Sequence, residues 1–130
     1  MLIFGHTYIE SPKFYHISEE DAIVKTPPSS TIYLDFTDRN IDIINYLKSN
    51  SIAFALNITN LKEALFANAM GARYIIVQKA LAKEVQDRAE HYLFDAKVLV
   101  HITQESELEE MAHLGIDGVL FSSAIVKISA

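Results

Sequence analysis

Apolar runs and polar stretches alternate with a steady beat from Thr31 onward. Five short runs, 31–36, 52–57, 73–77, 97–101 and 118–122, read as strands. Their cores (Ile75-Ile76-Val77, Val98-Leu99-Val100, Val119-Leu120-Phe121) are apolar without alternation, the pattern of strands covered on both faces. Helical spacing fills the intervals. Thr37 or Asp38 caps a predicted helix to about Asn50, with Ile41, Ile44 and Leu47 on one face. Asn60 and Glu63 have capping-box spacing for the next, with Leu61, Leu65 and Ala69 as its inner stripe and Gly71 as its stop. Ala80 to Phe94 is the longest predicted helix, with Leu81, Val85, Ala89 and Tyr92 facing in and Lys83/Asp87 and Glu84/Arg88 as four-residue ion pairs. The last runs from about Gln104 to Leu114, with Leu108, Met111 and Ala112 inside and Gly115 as its stop; a short amphipathic tail is expected from Ser123.

The first 30 residues are less regular. Residues 2–4, 7–9 and 13–17 look like strand pieces, Ser18–Asp21 like one helical turn, and 26–30 is a loop that Pro27 and Pro28 keep irregular. The expectation is an N-terminal hairpin or irregular β cap over 1–30, followed by βα units over 31–130, in a single α/β domain of 130 residues.

Residues 52–83 and 96–127 align without a gap at an offset of 44, with identities at Ile58/Ile102, Thr59/Thr103, Glu63/Glu107, Gly71/Gly115, Ala80/Ala124 and Lys83/Lys127. Strand falls on strand, helix start on helix start, Gly on Gly. Alternation of strands and helices predicts a parallel sheet, here of five strands. A direct strand-helix-strand repeat puts equivalent helices on one outer side, so the predicted form is half-TIM-barrel-like; a flavodoxin-like doubly wound sheet is the alternative.

Half of the residues are hydrophobic, which suggests an apolar concave face and open sheet edges in need of cover, and hence a homodimer. The net charge of −6 argues against nucleic acid as a partner. There is no cysteine, which excludes disulfides, thiolate metal sites and Cys nucleophiles. The N-terminus lacks a basic start and a long apolar run, and no stretch is long enough to span a bilayer, so no membrane partner is expected and the cytoplasm is the expected compartment.

Residues 98–123 resemble the closing strand-helix-strand unit of many TIM-barrel enzymes, and most closely the C-terminal part of glycerophosphodiester phosphodiesterases. Leu114-Gly115-Ile116-Asp117-Gly118-Val119 matches their Leu-Gly-Val-Asp-Gly type turn before a last apolar strand. The likeness covers about a fifth of the chain. Where that family has a His-Arg-Gly strand end, a Pro-Glu-Asn turn and a metal-binding acidic pair, this chain has Gly5-His6-Thr7, Glu10-Ser11-Pro12 and a lone Asp35. The resemblance thus implies a half-barrel scaffold without the family's catalytic motifs.

In either architecture ligands meet the carboxyl ends of the strands. Those ends carry Asp35, Asn57, Gln78, Lys79, His101, Ser122 and Ser123. Polar residues also belong there on structural grounds alone, because strands leave the core and helices need caps. A desolvated Lys79 would suit Schiff-base chemistry, and His101 general acid–base work, with Asp35 as its orienting partner if the strands bring them together. The five histidines show no metal-ligand spacing, and no glycine-rich phosphate loop or serine elbow is present, so no metal or cofactor is expected. The reading is a non-catalytic assembly or ligand-binding module; the alternative is a small-molecule enzyme or sensor for a phosphorylated or carboxylate ligand near Lys79 and Ser122-Ser123.

Overall fold

The computed structural model describes residues 1–128. The five predicted strands form as β3 (Thr31–Asp35), β4 (Phe54–Asn57), β5 (Tyr74–Val77), β6 (Lys97–Ile102) and β7 (Gly118–Phe121), neighbours in chain order and all parallel. Four helices follow the first four of them: α1 (Ile41–Ser49), α2 (Leu61–Ala69), α3 (Lys79–His91) and α4 (Glu107–His113).

Among the described residues the sheet has eight strands rather than five. β1 (Leu2–Phe4) pairs with β7, β2 (Phe14–His16) with β3, and β8 (Ile125–Lys127) with β2, every pairing parallel. The order is β1-β7-β6-β5-β4-β3-β2-β8. The expected N-terminal hairpin is therefore absent: its two pieces join opposite ends of one curled sheet, and residues 7–9 form turns. The expected helical tail is a single 3-10 turn, Ser122–Ala124, followed by β8. β1 and β2 form where strand pieces were expected, at 2–4 and within 13–17; β8 is three residues long, too short for period-2 alternation to declare itself.

Curling gives the half-barrel two cores. Outside, Ile32, Leu34, Leu56, Ile75, Val77, Val98, Val100 and Val119 meet Ile44, Leu47, Ala64, Ala67, Ala82, Val85 and Met111 from the helices and their flanks. Inside, Phe4, Phe14, Tyr33, Ala55, Ile76, Leu99, Leu120 and Ala124 pack on one another. The Phe4 ring stands 5.1 Å from Phe14 and 5.5 Å from Tyr74, both edge-on. Both sheet faces are buried, so the strand cores show no polar alternation. The concave face expected to need a partner is filled by the chain's own β1 and β2.

Three inner stripes differ from the sequence reading. α2 turns Ala64 and Ala67 to the sheet and leaves Leu65 and Phe66 exposed; the small residues let it sit close. α3 buries Ala82, Val85, Gln86 and Ala89, and leaves Tyr92 outside. Ala112 of α4 is likewise exposed, although Met111 is buried.

The offset of 44 residues has local causes. Glu63 accepts from the Thr59 N–H at 2.8 Å, and Glu107 from the Thr103 N–H at 2.9 Å. Asn60 completes the first cap by accepting from the Glu63 N–H at 2.9 Å. Each satisfies helix-start donors that would otherwise be orphaned. At the other end, Gly71 (φ 90°) and Gly115 (φ 73°) take the left-handed conformation that closes α2 and α4. Ser51 (φ 55°) and Leu93 (φ 53°) do the same after α1 and α3 without being glycine.

The Leu114–Val119 turn is structural. Asp117 accepts from the Val98 N–H at 2.9 Å and from the buried Gln86 amide at 3.1 Å, while its own N–H donates back to Gln86 at 3.0 Å. That clamps α3, β6 and β7 together. Gly118 is glycine because space is lacking: a Cβ there would lie 2.7 Å from Leu2 Cβ and from Leu99 Cδ2.

Candidate functional site

Inward-facing positions alternate along each strand, so the row Phe14, Tyr33, Ala55, Ile76, Leu99, Leu120 is continued two residues later by His16, Asp35, Asn57, Gln78, His101 and Ser122. An apolar plug is thus crowned by a polar rim at the carboxyl ends of the strands.

Asp35 is the centre of one half of that rim. Asn57, its register neighbour on β4, donates from Nδ2 to Asp35 Oδ1 at 3.2 Å. His16 Nε2 lies 3.8 Å from Asp35 Oδ2, and the His16 ring meets Tyr33 edge-on at 4.7 Å. Asn40, just past the strand, donates from Nδ2 to the Asp35 carbonyl at 2.8 Å. The buried Oδ1 atoms of Asn40 and Asn57 have no hydrogen-bond partner, and they are the only such side-chain atoms among the described residues. A buried orphan acceptor costs roughly 1–3 kcal/mol. Both belong to amides committed to Asp35, and turning either over would face oxygen to oxygen.

The same crowding shifts protonation. Burial first, then the Asp35 charge, pushes the Tyr33 phenol up to about 12. His16 is held below its ordinary value: burial dominates, Asp35 opposes it, and Lys127 adds to it.

The other half of the rim is a pair. His101 Nε2 and Ser122 Oγ are 2.8 Å apart across β6 and β7. Burial lowers the His101 pKa despite the pull of Glu107, so the ring is mostly neutral at pH 7. Ser123 donates to the Gly5 carbonyl at 2.6 Å, and Lys13 donates to the Ser123 carbonyl at 3.1 Å; these bonds tie the end of β1 and the start of β2 to the chain entering β8. Asp35 and His101 are not partners, since three steps of the sheet order separate β3 from β6.

Lys79 opens α3 and is exposed. It pairs with Glu110 at 3.0 Å and Glu107 at 3.3 Å. Its bond to Glu110, then that to Glu107, raises its pKa, the opposite of what Schiff-base chemistry needs. Gln78 makes no capping bond at the start of α3.

Sequence reasoning missed His16, Tyr33 and Asn40. The one signal was a polar residue closing the apolar Phe14-Tyr15 run. Among the described residues no group of three or more His, Asp or Glu is arranged to hold a metal, and no helix is long and apolar enough to cross a membrane. The chain matches no protein-family model and no curated protein.

Proposed function

We propose that this protein is a non-catalytic ligand-binding module whose site is the Asp35 rim, and that it takes a small neutral or cationic molecule rich in hydrogen-bond donors. The observation that carries this is the pair of orphan acceptors on Asn40 and Asn57. The Asn57 amide spends stability to hold the half-exposed Asp35 carboxylate, and the Asn40 amide to hold the Asp35 main-chain carbonyl, a cost that suits a preformed site. His16 and Tyr33 supply ring surface beside it. An anionic ligand suits this end less well, because Lys79 is already neutralised by two glutamates.

Thermal-shift screening against a panel of amines, amides and polyols, with phosphorylated compounds alongside, tests the reading. A true ligand at a hundredfold excess over its Kd stabilises by about 2.7 kcal/mol. That gain should vanish in Asp35→Asn. A panel without hits, or hits indifferent to Asp35→Asn, would defeat it.

Self-association is a second reading, favoured by α2 alone. Leu65, Phe66 and Ala69 all face outward, and Phe66 stacks on Phe36 at 6.4 Å. A helix apolar on both faces normally has something on each. A homodimer across this face would show twice the chain mass in light scattering, and Phe66→Glu would return it to monomer. A monomer mass at micromolar concentration counts against it.

A further inference from the structure

The strands begin at the opposite end of the sheet, and there lies an open cleft of about 350 Å3 lined by Ser29, Ser30, Ser51, Ile52, Ala53 and Arg73, with Ser29, Ser51 and Arg73 exposed. Among the described residues the Arg73 guanidinium makes no hydrogen bond or ion pair, and the Ser29 and Ser51 hydroxyls are equally unused. Ser30 alone is engaged, donating to the Pro27 carbonyl at 2.6 Å. No carboxylate lines the cleft, although the chain as a whole carries a net charge of −6.

The backbone adds a second line of argument. Ser29 has φ 66° at the third position of a turn closed by the Ser30 N–H on the Pro27 carbonyl, and Ser51 has φ 55° at the end of α1. Glycine is the residue such backbones favour, and it occupies the place equivalent to Ser51 after α2 and α4. Here the chain keeps a hydroxyl at both points, beside the same guanidinium. Leu93 holds the same backbone after α3, so strain alone assigns no use; what singles out Ser29 and Ser51 is that both line one cleft with Arg73.

We propose that this cleft is a phosphate-binding site, which takes the phosphomonoester group of a small molecule. Arg73 offers a planar fork that fits two phosphate oxygens at once, and Ser29 and Ser51 offer O–H donors for the others. The site is independent of the Asp35 rim: it lies at the other end of the strands and takes an anion, which suits the rim less well.

The test is a titration of 15N-labelled protein with inorganic phosphate, phenyl phosphate and acetate at matched ionic strength, followed by NMR. The expected result is saturable shifts of the Ser29, Ser30 and Ser51 amides and of the Arg73 Nε–H with both phosphates, phenyl phosphate binding at least as tightly. Arg73→Gln should weaken binding roughly tenfold or more, and Arg73→Lys should recover only part of it. Ser51→Gly relieves the backbone and so keeps the fold, yet should also weaken binding. Asp35→Asn should leave these shifts unchanged, so failure of the rim reading leaves this one standing. Non-saturating shifts, shifts that persist in Arg73→Gln, or acetate binding as tightly as phosphate would overturn the proposal. Phenyl phosphate binding more weakly than inorganic phosphate would remove the ester from it.

Discussion

Asn57 donates to the Asp35 carboxylate at 3.2 Å from the register position directly opposite it on the neighbouring strand. The pair closes two strands with one charge and one amide. Replacing the amide by a second carboxylate sets like charges face to face. Asn57→Asp should therefore destabilise the protein by about 1 kcal/mol at pH 7, a loss that shrinks as the pH is lowered and one carboxyl takes up a proton. Urea unfolding at neutral and acid pH measures both. An undiminished loss at acid pH would mean that charge is not the cause.

The Tyr33 phenol is held at about 12 chiefly by burial, with the Asp35 charge second. Ultraviolet titration should find one tyrosine ionising near that value. Asp35→Asn should lower it only in part, because burial remains. A return to the ordinary tyrosine range in that variant would reverse the order of the two causes.

His16 and His101 both have folded-state pKa values below the ordinary 6.5. The unfolded chain thus binds protons more readily than the folded one as the pH falls through that value. Their contribution to stability is fully present above about pH 6.5 and is lost as the pH falls through their folded pKa values. The unfolding midpoint should drop accordingly on acidification from pH 7. His16→Gln and His101→Gln should each flatten that drop, and equal slopes in all three proteins would dissociate it from these rings.

Four glycines make a ranked series. Gly71 and Gly115 need only their positive φ, since nothing lies within 4 Å of an added Cβ; each →Ala change should cost about 1 kcal/mol. Gly118→Ala drives a methyl to 2.7 Å from the Leu2 backbone carbonyl, and Gly5→Ala combines φ 93° with a 2.9 Å approach to Ala124. Both should cost more, roughly 1–3 kcal/mol for overpacking alone. Denaturant midpoints that reverse this order would show that the β1 edge yields easily.

Leu93 is the counterpart case: it holds φ 53° after α3 and its side chain is 84% exposed. Nothing in the structure explains leucine there. Leu93→Gly should raise stability by about 0.5–1 kcal/mol, read as a higher melting temperature.

The chain by itself determined the βα units. Apolar strand cores, the Asn60/Glu63 cap and the stops at Gly71 and Gly115 are local facts, written within a few residues of the elements they make, and those elements formed where expected. The strand-end positions were legible for the same reason, since a polar residue after an apolar run marks where a strand leaves the core. Tertiary structure decided the rest. β1 and β2 lie where strand pieces were expected, but that they join opposite ends of one sheet, and that β8 forms beside β2, follows from existing edges that offer unpaired N–H and C=O groups to satisfy. Their arrival fills the concave face and carries His16 to within 3.8 Å of Asp35, 19 residues further along the chain. Which polar ends meet is a property of strand order and register, and these are set by long-range pairing that no local pattern in this chain encodes.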